Sequence, residues 1–222
     1  AKLTLAGNAP IIVLGSSRAD DLINLSSSLL AARWTVDGQY SGSFTLAAPV
    51  TQGNPATVTR DSLAFTFRDI ENVLAGDGGN TVLLRDGGRM DSMGFGAGRN
   101  ILDASGMTAT THWVYDGATL AGRSPNNGGV NRITGLDVLV GSQGGDRLEF
   151  NSTLDAHWQV TDNYKGTLNG LNFSNIRHAV QTSSGGSLWL GAGMDAIQVA
   201  VPPFTVVIHP SGHFRRIDYA NG

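Results

Sequence analysis

The sequence predicts an all-β protein, and a β-solenoid within that class, from three observations. One motif recurs imperfectly along the chain, the 222 residues include 30 glycines but only 15% charged residues, and short apolar runs alternate with turn residues. Recurrence of a motif is typical of solenoids, in which each repeat buries its apolar face against its neighbours. Because the apolar runs start about ten residues apart, as in a β-sandwich, the sandwich is the alternative architecture.

The recurring motif begins with a tryptophan. Residues 34–44 (WTVDGQYSGSF) match residues 158–168 (WQVTDNYKGTL) in the pattern W-x-V-x-x-x-Y-x-G-x-[FL] without a gap, and a weaker copy begins at Trp113. Each copy is followed by an apolar-x-x-Ile step, at Phe67–Ile70, Val130–Ile133 and Phe173–Ile176. A solenoid places like residues above like, so we expect the tryptophans in its core. The other interpretation is an exposed platform on which sugars stack.

Runs rich in Val, Ile, Leu, Phe, Thr and Trp between Gly, Asn or Asp turns predict strands. We expect strands at Pro10–Leu14, Arg33–Val36, Gly42–Leu46, Ser62–Phe67, Thr81–Leu84, Arg147–Phe150, His157–Val160, Gly166–Phe173, Ser187–Leu190 and Ile197–Val201. Asp20–Arg33 has some helical spacing, but its three consecutive serines compete for backbone hydrogen bonds. Leu14–Leu22, which overlaps its start, also aligns with Val140–Leu148, so a strand, a turn and a second strand are predicted there.

The domain organisation follows the repeat. Residues 1–200 are predicted to form one solenoid domain, with an extra glycine-rich repeat at residues 85–106 and polar loops at Gln52–Thr59 and Gly122–Gly129. Residues 201–222 leave the pattern and are interpreted as a terminal cap or as the start of a next segment. Because the sequence begins at Ala1 without a methionine or a signal peptide, we expect it to be part of a longer chain.

Composition argues against several classes of function. The net charge of −3 and the lack of a basic block argue against nucleic-acid binding. No apolar run approaches the roughly 18 residues that a membrane span needs. The chain has no cysteine, which excludes disulfides, thiolate metal sites and a cysteine nucleophile.

Calcium is the one candidate cofactor. Residues 76–82 and 141–148 echo the nonapeptide G-G-x-G-x-D-x-U-x, which binds calcium in parallel β-rolls. Calcium takes six to eight oxygen ligands, and such rolls supply them from tandem copies, whereas each echo here is isolated. Tight turns whose glycines adopt positive φ explain both segments without a metal. If calcium binds, we expect Asp77, Asn80 and Asp146 as its ligands.

The sequence predicts no catalytic site. His112 and His157 both precede a motif tryptophan and are candidates to stack one or two turns of the solenoid apart, but Arg33 holds the same place in the first copy. Since arginine is no metal ligand, the position is interpreted as outward and polar. A polysaccharide-processing enzyme needs converging carboxylates. The pairs Asp20/Asp21 and Asp86/Asp91 are explained equally well as solvated turn residues.

Most of the chain, about residues 12–190, resembles a known repeat. The order W-x-V, G-x-[FL], F-x-x-I-x-N-[VL]-x-G-G-x-G-x-[DN]-x-[FL] is similar to repeats of filamentous-haemagglutinin-like adhesins, which are large bacterial exoproteins exported by two-partner secretion. The best match is residues 67–82, FRDIENVLAGDGGNTV. Two features depart from the family: the Asn-Pro-Asn-type motif of its secretion domain is absent, and the last glycine turn is degraded at residues 181–187.

The resemblance implies a right-handed parallel β-helix on the bacterial surface. Its implied role is cell adhesion or biofilm cohesion, with a surface glycan, a polysaccharide or a neighbouring or host cell as partner. We therefore expect a secreted structural or adhesive segment that is not an enzyme. A carbohydrate-binding module is the first alternative, and a β-helix polysaccharide-processing enzyme is the second.

Overall fold

The structure is a computed structural model that describes residues 11–16, 20–47, 63–182, 185–199, 205–209, 212 and 214–219. These residues form strands and turns and contain no α-helix. The strands are β1 (Ile11–Leu14), β2 (Leu22–Asn24), β3 (Ala32–Gly38), β4 (Ser41–Leu46), β5 (Leu63–Arg68), β6 (Asn72–Leu74), β7 (Asn80–Arg85), β8 (Arg89–Gly94), β9 (Ile101–Gly106), β10 (His112–Tyr115), β11 (Thr119–Arg123), β12 (Gly129–Thr134), β13 (Val138–Val140), β14 (Asp146–Phe150), β15 (Ala156–Asp162), β16 (Lys165–Leu168), β17 (Leu171–Ser174), β18 (Ile176–Gln181), β19 (Gly186–Leu190), β20 (Met194–Val199), β21 (Thr205–Ile208) and β22 (Phe214–Tyr219).

The strands form two mixed sheets, so the all-β prediction is confirmed. The first sheet has 12 strands in the order β1-β5-β4-β3-β7-β9-β13-β17-β16-β15-β19-β21. The second has 10 strands in the order β2-β6-β8-β12-β11-β10-β14-β18-β20-β22. Outside three local meanders, the chain passes from one sheet to the other after every strand. The apolar core runs between the two sheets along their length.

The tryptophan motif is a three-stranded antiparallel meander inserted into otherwise parallel sheets. The three copies are β3–β5, β10–β12 and β15–β17, and they contain every antiparallel pair among the described strands. The first and third lie in the first sheet and the second lies in the other sheet. The motif therefore recurs because one structural unit recurs.

In the two copies that match best, a tyrosine lies at the turn between the first two strands and joins the meander to the second sheet. Tyr40 and Tyr164 adopt φ of 55° and 60°, a left-handed conformation that is uncommon for a residue with a side chain. The Tyr40 hydroxyl donates to Asp91 at 3.1 Å, and the Tyr164 hydroxyl donates to Asp195 at the same distance. Each tyrosine therefore ties its meander to a neighbouring part of the second sheet.

One predicted strand is wrong and one predicted segment is confirmed. The expected single strand Gly166–Phe173 is two strands, because Asn169 and Gly170 adopt φ of 45° and 90° and make a tight hairpin turn. Asn-Gly is a preferred pair for such a turn. The segment Asp20–Arg33 contains β2, turns and the start of β3, as predicted, and no helix.

Three of the four tryptophans belong to the core, as the core interpretation requires. Trp34 and Trp113 are completely buried and Trp158 is 3% exposed. Trp34 stacks on Phe44 with ring centroids 4.3 Å apart. Trp189 is half-buried on the first sheet and lies against His209. The first three rings therefore contribute packing and offer no platform for sugars.

The tail continues the same arrangement. β21 pairs with β19 in the first sheet, and β22 pairs with β20 in the second, both in parallel. Within the described part, residues 205–219 therefore add one more strand to each sheet. The described residues contain no helix of the length and apolar character needed to cross a membrane.

Asp86 links the β7–β8 connection to the β9–β10 connection at one edge of the sheets. Its carboxylate accepts hydrogen bonds from the backbone N–H and the hydroxyl of Thr108 at 2.9 and 2.8 Å. These bonds hold the pKa of Asp86 below its ordinary value of 3.8. A lowered pKa means that the ionised carboxylate stabilises the fold above the unfolded-state pKa, and that this stabilisation disappears as the pH falls through the folded-state pKa.

We expect Asp86→Asn to lower stability at pH 7 and to lower it less at pH 3. The measurement is urea unfolding, followed by tryptophan fluorescence, of the wild type and the variant at both pH values. Thr108→Val serves as the control, since it removes the hydroxyl donor and keeps the backbone donor. An equal loss from Asp86→Asn at both pH values would refute the role given to the ionised carboxylate.

Candidate binding surface on the second sheet

A row of basic side chains crosses the outer face of the second sheet. Strand pairing places Arg123 beside His112, His112 beside Arg147, and Arg147 beside His178. Residues directly opposite each other on neighbouring strands lie on the same face of a sheet. These four residues, on β11, β10, β14 and β18, together with Arg216 on β22, are called the basic row below.

The row is interrupted at one strand. His178 pairs with Ala196 on β20, and Ala196 pairs with Arg216. Because alanine ends at Cβ, the sheet surface is low between the long side chains on either side. The basic row is otherwise accessible, since Arg123, His178 and Arg216 are exposed and Arg147 is partly exposed.

Two carboxylates lie on the same face, two residues further along their strands. Glu149 Oε2 lies 2.8 Å from His112 Nε2 and 3.0 Å from Arg147 Nη2. Arg216 Nε donates to both oxygens of Asp218, at 2.7 and 2.6 Å. The hydrogen bond and charge of Asp218 raise the pKa of the Arg216 guanidinium. The two carboxylates therefore fix the orientation of His112, Arg147 and Arg216.

A surface hollow of about 240 Å³ lies at this interruption. The residues that line it are Arg147, His178, Ala179, Val180, Ala196, Gln198, Arg216 and Asp218. The hollow is thus bounded by two guanidinium groups and an imidazole, which supply hydrogen-bond donors, and by a carboxylate and an amide, which supply acceptors.

One donor of a residue that lines the hollow has no partner in the described part of the protein. The buried Nε of Arg147 donates to no acceptor among the described residues, although most buried donors in proteins have a partner. Across this face, Arg123, Arg147 and Arg216 outnumber the carboxylates Glu149 and Asp218. The surface is therefore locally cationic on a chain whose net charge is −3.

The residues predicted for calcium do not share one site. Asp77 lies between β6 and β7, where the chain passes from the second sheet to the first, and Asp146 begins β14 after the opposite crossing. Since strands outside the meanders are parallel, these two crossings lie at opposite edges of the sheets. Asp77 and Asn80 share one turn, so the structure brings together two of the three residues.

Several oxygen and nitrogen atoms of these side chains have protein partners, but the buried Asn80 Oδ1 accepts from no donor among the described residues. Asp77 Oδ1 accepts from the backbone N–H of Ala97 at 2.8 Å. Asn80 Nδ2 donates to the Gly76 carbonyl at 2.8 Å and to Asn100 Oδ1 at 3.0 Å. Within the described residues, no group of three or more His, Asp or Glu side chains converges on a point that could hold a metal ion.

Asp146 is a buried hydrogen-bond acceptor. It is completely buried and accepts from the N–H of Thr111 at 2.7 Å, from Trp113 Nε1 at 2.6 Å and from the N–H of Ser142 at 2.8 Å. The Ser142 hydroxyl is a fourth donor. Both carboxylate oxygens are therefore used to join the β9–β10 and β13–β14 connections to the motif tryptophan.

The predicted stacking of His112 and His157 is wrong. His112 lies on β10 in the second sheet, whereas His157 lies on β15 in the first. The second meander occupies the other sheet, so equal positions in the motif do not become neighbours. Both side chains are exposed, which confirms the outward polar interpretation.

The carboxylate pair Asp86/Asp91 serves different contacts. Asp86 accepts from Thr108, and Asp91 Oδ1 accepts from Tyr40 and, at 2.8 Å, from Asn131. Each carboxylate therefore links separate segments of the fold.

The basic row and its hollow were not predicted from the sequence. Their residues are spread from His112 to Arg216, with no basic block, and strand register alone brings them together. The one available signal is that arginine or histidine occurs at the start of several predicted strands, as in Arg147–Phe150 and His157–Val160.

Comparison with protein-family models, with curated proteins and with solved structures finds no match to this chain.

Proposed function

We propose that this chain is a stiff segment of a secreted bacterial surface adhesin, built as a right-handed parallel β-helix. The observation that carries the proposal is the continuity of the two sheets and of the core between them. Each passage of the chain adds strands beside the previous ones, so the molecule extends along one axis. Parallel crossover connections are right-handed in nearly all proteins, which supports the handedness.

The proposed action is mechanical and interfacial. Ladder hydrogen bonds and buried aromatic and aliphatic side chains resist bending, while exposed polar faces are available for contacts. Within the described part, the first sheet ends at β1 and β21 and the second at β2 and β22. Such end strands can pair with further strands, which suits a segment of a longer rod exported by two-partner secretion.

The proposal gives the chain no catalytic role. Asp86, Asp91 and Asp146 are carboxylates whose described partners are hydrogen-bond donors that hold the fold together. The partner would be a glycan or polysaccharide, or the surface of a host or neighbouring cell. The hollow on the second sheet favours polysaccharide binding as the means of adhesion.

The test is adhesion of cells that display the chain. A non-adherent bacterium displaying it is allowed to settle on host-cell monolayers and on polysaccharide-coated glass, and retention after washing is counted. We expect more retained cells than for the same strain displaying an unrelated all-β domain of similar size. The dimensions of the purified chain, from small-angle X-ray scattering, should fit a rod.

Two outcomes would refute the proposal. Retention equal to that of the unrelated domain on every surface would remove the adhesive role. A scattering profile typical of a sphere would contradict the proposed rod shape. Asp146→Ala, whose fold we expect to be weakened, should lose retention if the folded sheets make the contact.

A further inference from the structure

We infer that the basic row and its hollow bind a linear polysaccharide whose sugars carry carboxylates, that is, a polyuronate. The inference rests on the proposed function in one respect: the polyuronate would be the ligand of the adhesive segment. Three observations support it: the strand register of the five basic residues, the hollow of about 240 Å³ at Ala196, and the carboxylates of Glu149 and Asp218 on the same face.

The geometry of the row suits a linear ligand. Neighbouring strands lie about 4.8 Å apart, so Arg123, His112, Arg147 and His178 present one donor group for each strand crossed. An extended glycan that lies across the strands advances by about one sugar over a similar distance. Charges repeated along the polymer can therefore meet side chains repeated across the sheet.

The hollow provides a binding position for one sugar of the polysaccharide. Ala196 lies between His178 and Arg216 on the neighbouring strands, and Arg147 lies one strand beyond His178 at the far side of the hollow. A guanidinium group binds a carboxylate through paired N–H donors in one plane. A uronate carboxylate over Ala196 can therefore be met by the Arg216 guanidinium on one side and by the His178 imidazole on the other.

The carboxylates on this face select for hydroxyl-rich ligands. Glu149 and Asp218 can accept further hydrogen bonds, which sugar hydroxyls can donate and which ionised sulfate or phosphate groups cannot. A densely sulfated chain would also bring anions against these two carboxylates, and like charges at short range are repulsive. A polyuronate has one carboxylate and free hydroxyls on each sugar, so it satisfies the cations and the anions of the face together.

Nucleic acid fits this face less well. Phosphate-dominated binding gains from clusters of uncompensated Lys and Arg, whereas Arg147 and Arg216 are each paired with a carboxylate. Base recognition in single strands uses exposed aromatic rings, and the lining of the hollow contains no aromatic side chain other than the His178 imidazole.

The test is calorimetric titration of the full chain with sodium oligogalacturonate at low salt. We expect saturable binding that weakens as salt is added. Arg216→Gln and His178→Gln should each weaken it by about tenfold, the usual effect of losing one charged or polar contact. Ala196→Leu should weaken it as strongly, because it fills the hollow without changing any charge.

Two controls distinguish binding at the hollow from non-specific electrostatic binding to the protein. Arg33→Gln removes the same charge from an exposed position on the first sheet and should leave affinity unchanged. Methyl-esterified oligogalacturonate keeps the sugars but lacks the carboxylates, and it should not bind. Circular dichroism and urea unfolding establish that each variant is folded before its affinity is compared.

Several results would overturn the inference. These are no binding of oligogalacturonate, equal losses from Arg33→Gln and Arg216→Gln, an undiminished affinity in Ala196→Leu, or tighter binding of heparin or single-stranded DNA than of oligogalacturonate. Absence of glycan binding together with retention of displaying cells on monolayers would overturn this inference alone and leave the adhesive rod standing.

Discussion

Replacing Asp146 by alanine is expected to lower the free energy of unfolding by about 3 to 5 kcal/mol, because it strips several buried donors of a charged acceptor at once. The carboxylate is completely buried and receives hydrogen bonds from Thr111, Trp113 and Ser142. In the variant, two backbone N–H groups, a hydroxyl and an indole N–H would face a cavity. Each buried donor left without a partner costs free energy.

The cost should be felt beyond the site itself. Thr111 belongs to the connection from β9 to β10, Ser142 to the connection from β13 to β14, and Trp113 to the core. A single carboxylate thus links two successive crossings between the sheets and fixes the orientation of a motif ring. Loss of this link should loosen the second meander first, which hydrogen exchange of Thr111–Tyr115 would report.

The measurement is urea unfolding of the wild type, Asp146→Ala and Asp146→Asn. Asparagine keeps the size of the side chain but turns an N–H₂ group toward donors, so we expect its loss to be smaller than that of alanine and still large. Asp37→Ala, at an exposed position of β3, removes the same charge and should change stability by less than about 0.5 kcal/mol. A loss of that small size from Asp146→Ala would contradict the assignment.

Asp146 also shows where sequence reasoning ends. Its place after a glycine-rich turn suggested a calcium ligand, by analogy with turns that hold metal through aspartate. The same aspartate is used here to satisfy donors of the protein. The two roles share one sequence pattern, because carboxylates accept hydrogen bonds from N–H and O–H groups as readily as they bind cations. Only the positions of Thr111 and Trp113 distinguish them.

The class of fold and the core were predictable, because they depend on local patterns. Alternation of apolar residues gave strands such as Arg33–Val36, and repetition placed Trp34, Trp113 and Trp158 in equivalent buried positions. The meander was not predicted. Gly166–Phe173 has the apolar content of one long strand, and the Asn169-Gly170 turn that divides it is a signal of only two residues.

The binding surface could not be predicted, because it depends on register between distant strands. His112 and Arg147 are neighbours only because the second meander reverses the chain twice and brings β10 against β14. A shift of one residue in either pairing would send one of them to the other face of the sheet. His112 lies away from His157 for a different reason, because the second meander lies in the second sheet and the third meander lies in the first.

Replacing Gly122 by alanine is expected to be as damaging, at about 3 kcal/mol, for a reason that explains the weak second copy of the motif. Trp34 faces Phe44 and Trp158 faces Leu168 across their hairpins, but Trp113 faces Gly122. A Cβ on Gly122 would overlap ring atoms of Trp113. The ring cannot turn aside freely, because it is completely buried and its Nε1 is held by Asp146 at 2.6 Å.

A double-mutant cycle isolates this contact. Trp113→Leu removes the ring, so Gly122→Ala should cost less in that background, with a coupling of about 1 to 3 kcal/mol. Gly94→Ala is the matched control in the same sheet, since its Cβ would clash only with the end of the partly exposed Leu74 side chain. Equal costs of Gly122→Ala with and without the Trp113 ring would mean that the glycine is needed for its backbone. The predicted coupling would mean that Gly122 leaves room for the Trp113 ring, which is hydrogen-bonded to Asp146. The second copy would then depart from the motif at this position because a larger residue does not fit beside the ring.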